Sequence, residues 1–141
     1  MSQSPRSLAR ELVLQALYAV ECGDASPDDD LFDIGVEDSP PPRAIDYARK
    51  LFELVQSNSG QADQHISSLA TNWDIDRMAI VDRNILRLAI IELDHMVDVP
   101  VKVVLNEAIE LAKKFSTVES SGFVNGILDQ YVKGMENADR T

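Results

Sequence analysis

The densest apolar stripe of the chain lies near its middle. Val81, Ile85, Leu88, Ala89 and Leu93 fall at i, i+4, i+7, i+8 and i+12, one face of a helix. Leu86 and Ile90 widen that face beyond a coiled-coil seam, which predicts a helix in the middle of a bundle. Arg83 and Arg87 lie on its more polar side, with Glu92 further along. Upstream, Ser4-Pro5 is a helix start, a capping hydroxyl followed by proline at the first helical position. From there Leu8, Ala9, Leu12, Val13, Ala16, Leu17 and Val20 form a core stripe that Gly23 ends. Arg6, Arg10, Leu14 and Tyr18 form an i+4 row along the border of that stripe. A second helix is expected over 43–58, with Ile45, Ala48, Leu51, Phe52 and Val55 inward and Ser59-Gly60 as its break. Ala62, Ile66, Leu69 and Trp73 then mark a shorter helix, and Asp74 or Asp76 caps a turn over 77–80. After Val99-Pro100, two further amphipathic helices follow: Val103 to Phe115, and one opening near Glu119-Ser120-Ser121 with Phe123, Val124, Ile127, Leu128 and Tyr131 inward. Gly122 and Gly126 fall within the last helix, where small residues are expected to allow close packing. The fold class is all-α: a bundle of about seven helices, three in the first half against four in the second.

The 141 residues suffice for one domain with a genuine core, and 45% hydrophobic residues argue against disorder. No apolar run approaches the ~20 residues of a membrane span, and the first residues lack the apolar stretch of a signal peptide. The single Cys22 has no partner for an intramolecular disulfide. A cytoplasmic protein is the expectation. The net charge of −11 argues against indiscriminate binding of polyanions. Yet seven acids, and no Lys or Arg, lie between Cys22 and Pro42; without them the remainder carries −4, which leaves room for a small basic face. This acidic, Pro-rich segment, 22–42, reads as a solvated loop in which Leu31, Phe32, Ile34 and Val36 make a brief contact with the domain.

Nothing in the chain assembles into catalytic machinery. His65 and His95 lie in separate segments, and no Cys/His set has zinc spacing. Glu107 and Glu110 are i and i+3, but a carboxylate metal box wants histidine at the second position, so neither a metal nor another cofactor is expected. Asn106, Glu107 and Asn125 read as structural clamps that satisfy neighbouring helix ends. The segment 116–123 leads into a helix N-terminus, where free amides, the dipole and the Ser120 and Ser121 hydroxyls favour a phosphate; a cap at Glu119 or Ser120 with no ligand explains it equally well. On periodicity alone, Arg6 and Arg10 read as solvated arginines beside a half-buried Tyr18.

Several blocks in order carry a family resemblance. They are Arg6-x-x-x-Arg10-Glu11-x-x-x-Gln15-Ala16-Leu17-Tyr18, Asp82-Arg83-x-Ile85-Leu86-Arg87-Leu88-Ala89, Glu92-Leu93, Val99-Pro100, Asn106 through Lys113, and Phe123-Val124-Asn125-Gly126-Ile127-Leu128-Asp129. Together they resemble the NusB family of bacterial transcription antitermination factors. The resemblance implies two small helical subdomains and a non-enzymatic adaptor. Such an adaptor binds boxA-type single-stranded RNA with the ribosomal protein NusE, within an antitermination complex on RNA polymerase. Arg6, Arg10, Tyr18, Arg77, Ser120 and Ser121 would then touch RNA, with Phe123 stacking, while Asp82, Glu92 and Glu119 would face the basic NusE. Gly122 departs from the family, many of whose members carry lysine there. Some members form homodimers. The rival readings are a protein adaptor of this fold with little RNA binding of its own, and an RNA-targeting module like those joined to rRNA cytosine methyltransferases.

Overall fold

The computed structural model describes residues 3–26, 32, 40–71 and 74–139, with side chains through Met135. Five α-helices follow in order: α1 (Pro5–Glu21), α2 (Pro42–Leu69), α3 (Ile80–His95), α4 (Val101–Phe115) and α5 (Val118–Asp139). A single 3₁₀ turn, Ile75–Arg77, joins α2 to α3. No described helix is long and apolar enough to cross a membrane.

The starts follow local chemistry. The Ser4 hydroxyl accepts from the Ser7 amide at 3.1 Å with Pro5 in the first turn, and Asp74 accepts from the Asp76 amide to open the 3₁₀ turn. α2 and α4 are entered through Pro41-Pro42 and Pro100, whose fixed φ suits a first turn. At the other end of α1, Gly23 takes φ +81°, a left-handed turn that stops the helix.

α3 is the middle of the bundle and packs against α1, α2, α4 and α5. Ile85, Leu86, Leu88, Ala89, Ile90 and Ile91 are all at most 1% exposed, as its width of apolar face requires. α1 pairs with α2, α4 pairs with α5, and one core cluster runs through both pairs.

The helix count differs from the sequence expectation at one place. Ser59-Gly60 does not break the chain; α2 runs on to Leu69. Val55, Ala62 and Ile66 stay on the buried side across the junction, while Gly60 faces solvent. Interior glycine costs roughly 0.5–1 kcal/mol, less than the ~2 kcal/mol gained by burying an isoleucine side chain, so the helix continues. Gly122 and Gly126 are also exposed, with nothing within 4 Å of where a Cβ would stand, so they serve no close packing. Of the expected acidic-loop contacts, Phe32 is buried and meets the Phe52 ring edge-on at 5.6 Å; Leu31, Ile34 and Val36, like Trp73, lie outside the described residues.

Candidate functional site

Arg10 is not on an exposed edge. It is 1% exposed, and its guanidinium donates bidentately to Glu92, itself 0% exposed, with Nε at 2.8 Å from Oε1. The Tyr47 hydroxyl donates to the same carboxylate at 2.8 Å, and Glu107 approaches Arg10 at 3.5 Å. Burial pushes the guanidinium's pKa down, but Glu92, Tyr47 and Glu107 more than offset it, so it stands above its ordinary value. Burial, reinforced by Glu92, likewise raises the Tyr47 phenol. This unit ties α1, α2 and α3 together, and neither Arg10 nor Glu92 offers surface to a ligand. The expectations that Arg10 meets RNA and that Glu92 faces a partner are therefore corrected: their charges are spent on each other.

Two more expected contacts turn inward. Asp82 is 8% exposed and accepts from the Ser120 hydroxyl at 2.9 Å, so it is no partner-facing charge. Ser121 is buried, and its hydroxyl donates to the Val118 carbonyl. The cap of α5 is neither Glu119 nor Ser120; the Thr117 hydroxyl accepts from the Ser120 amide at 3.0 Å. Among the expected clamps, Glu107 accepts from the Ser7 hydroxyl, whereas Asn106 and Asn125 are exposed.

The remaining expected residues collect around the N-terminus of α3. Arg77, Asp82, Glu119, Ser120 and Phe123 line one groove of about 390 Å³. Next to it, Leu14, Tyr18, Val81 and Phe115 line an apolar slot of about 240 Å³. The two adjoin through the consecutive residues Val81 and Asp82. Tyr18 is 46% exposed, and its phenol is raised by its hydrogen bond and proximity to Cys22, then by burial and the nearby Asp24 carboxylate. Arg77 is exposed and, among the described residues, pairs with no carboxylate. The second carboxylate oxygen of Asp82 is buried beneath the groove, without a hydrogen-bond partner among the described atoms. Val118, 77% exposed, and exposed Glu119 flank it. Phe115 and Val81 were not legible as site residues; their positions at a helix end and a helix start were the only signal.

Arg6 lies elsewhere. Twelve residues of helix set it roughly 18 Å from Tyr18 along α1. There its guanidinium sits 5.0 Å from the centre of the Tyr47 ring and 3.3 Å from Asp98. The described residues hold no group of three or more metal-ligating side chains.

The five described helices form an all-α bundle with a mixed apolar and polar edge at the start of α3. The model of the NusB family matches residues 7–133. The chain is 46% identical over 138 residues to the transcription antitermination protein NusB of Anaeromyxobacter dehalogenans, covering 97% of this chain and 96% of that protein. It is 46% identical to the Myxococcus xanthus protein of the same name, covering 89% and 92%. Among solved structures, T. maritima NusB superposes with a TM-score of 0.80 at 36% identity, over 94% of this chain and 93% of the other. A crystal structure of antitermination factors NusB and NusE in complex with dsRNA contains a chain that matches with a TM-score of 0.80 at 29% identity, over 92% and 97%. The chain belongs to the NusB family.

Proposed function

We propose that this chain is a non-enzymatic transcription antitermination factor that binds boxA-type RNA together with the ribosomal protein NusE, within an antitermination complex on RNA polymerase. The observation that carries the RNA reading is the pair of adjoining grooves at the start of α3. Single-stranded RNA is recognised by stacking unstacked bases on aromatic rings and bonding their edges. The Tyr18–Phe115 slot supplies apolar walls and Arg77 an uncommitted cation. Phe123 completes the edge.

The charge argues for a partner. A chain of net −11 holds a polyanion poorly alone, but its acidity attracts a basic protein, and Glu119 beside exposed Val118 offers a mixed contact for one. The composite surface then grips the transcript. The alternative, an adaptor with little RNA binding of its own, is favoured by the withdrawal of Arg10 into the core and by Gly122.

Replacing Tyr18 and Arg77 by alanine separates the two readings. RNA affinity of the chain–NusE complex is expected to fall about tenfold or more, as loss of one stacking platform and one cation predicts, with Tm unchanged. Undiminished affinity contradicts the RNA edge and leaves the protein adaptor.

A further inference from the structure

We propose that Arg6, Arg43 and Lys50 form a second phosphate-binding cleft, at the far end of α1 from Tyr18, that holds a backbone stretch of the same RNA. The inference rests on the RNA reading above and adds to it a site on α2. The cleft spans about 620 Å³ between the starts of α1 and α2 and is lined by Ser4, Arg6, Arg43, Asp46, Tyr47 and Lys50. Arg43, Tyr47 and Lys50 stand at i, i+4 and i+7, so one face of α2 presents both cations. Neither helix has an acid of its own in its first turn, although Glu107 at Ser7 and Asp98 at Arg6 lie beside the start of α1.

The independent observation is how the chain spends its cations. Arg10, Arg83 and Arg87 are committed to Glu92, Glu21 and Asp63, and Lys113, Lys114 and Lys133 each pair with a carboxylate. Among the described residues Arg43, Lys50, Arg77 and Lys102 pair with no carboxylate, and of these only Arg43 and Lys50 line this cleft. Arg6 has only Asp98, at 3.3 Å with both side chains about half or more exposed, a pair of the weakly coupled surface kind. Asp46 and Asp98 temper the site, so its surplus charge is small. The cleft also lies open to solvent and holds no buried donor other than those already engaged with Glu92. That suits one or two phosphates of a ligand anchored elsewhere better than a free anion, because anchoring at Tyr18 raises the effective concentration of the adjoining backbone. Such contacts position a nucleic acid without reading its sequence.

The test compares the chain–NusE complex carrying Arg43→Gln and Lys50→Gln with the unmodified complex and with the Tyr18→Ala/Arg77→Ala complex. A boxA RNA extended on both sides and a minimal boxA RNA are titrated over a range of salt concentrations, with Tm as the folding control. Loss of the two cations is expected to weaken the extended RNA about tenfold at low salt. The slope of log K against log salt should become shallower by about 1.4, roughly 0.7 for each lost single-strand phosphate contact, while the minimal RNA binds as before. If the glutamine pair changes nothing while the Tyr18/Arg77 pair weakens binding, the cleft is overturned and the RNA edge stands. If neither pair matters, both fall. Titration with pyrophosphate supplies the remaining arm: saturable shifts of the Arg43 and Lys50 resonances, with no effect on extended RNA, would assign the cleft to a free phosphoanion and overturn the RNA proposal.

Discussion

Arg10 and Glu92 show why a row of residues four apart misleads over a long helix. Each i+4 step advances about 40° around the axis, so Arg6 and Tyr18 end up on different sides and the residues between them sweep across the core. Arg10 thus falls in line with Val13, Leu14 and Leu17, all buried. Periodicity placed it near that border but could not supply the counter-charge, because Glu92 is 82 positions away. Removing either partner leaves the other charged and buried: Arg10→Ala or Glu92→Ala is expected to cost about 3–5 kcal/mol in chemical denaturation. Arg10→Met with Glu92→Leu should cost much less than the two losses added together; full additivity contradicts the coupling. Tyr47 and Tyr131 carry the pH dependence. Burial, then Glu92 for Tyr47 and Asp94 for Tyr131, raises both phenols above the ordinary 10.0. A raised pKa means the folded state keeps its proton longer, so stability is full below about pH 10 and declines as pH rises beyond it. Replacing one of the two by phenylalanine should lessen that decline by up to about 1.4 kcal/mol per pH unit, the linkage of one proton, in denaturation series between pH 8 and 11.

At the scale of elements, the stripes of α1, α3 and α4 were legible because their apolar residues recur without interruption and prolines mark where α1 and α4 begin. The sequence predicts two helices where α2 is one, because Ser59-Gly60 is locally a breaker, while the force that overrides it, burial of Ala62 and Ile66 against the rest of the bundle, is tertiary. A continuous helix through Gly60 makes Gly60→Ala stabilising by roughly 0.5–1 kcal/mol, since nothing crowds its Cβ position. A loss of stability in thermal unfolding would mean that the backbone there is not helical. The start of α5 was half legible: the hydroxyl cluster at 116–121 was visible, but its hydroxyls serve Asp82, one another and the Val118 carbonyl.

For the molecule as a whole, α3 is the shared wall of two helix pairs, and its N-terminus brings the Tyr18 slot and the Arg77–Phe123 groove together. Tyr18, Arg77, Ser120 and Phe123 could be named from sequence through family likeness, and the bundle gathers them; the assembly itself depends on contacts between α1, α3 and α5 that no local pattern encodes. Under the proposed function, the distribution of charge makes this edge depend on a partner. Arg10, Arg83 and Arg87 are tied to carboxylates of the chain itself, and on that proposal the net charge of −11 disfavours a transcript until a basic protein covers part of it. The most direct measurement is a titration of labelled boxA RNA against this chain alone and against the chain saturated with NusE, at one fixed salt concentration. The chain alone should bind weakly, NusE should tighten binding by at least tenfold, and Tyr18→Ala should erode that gain. Superimposable curves with and without NusE would contradict the account.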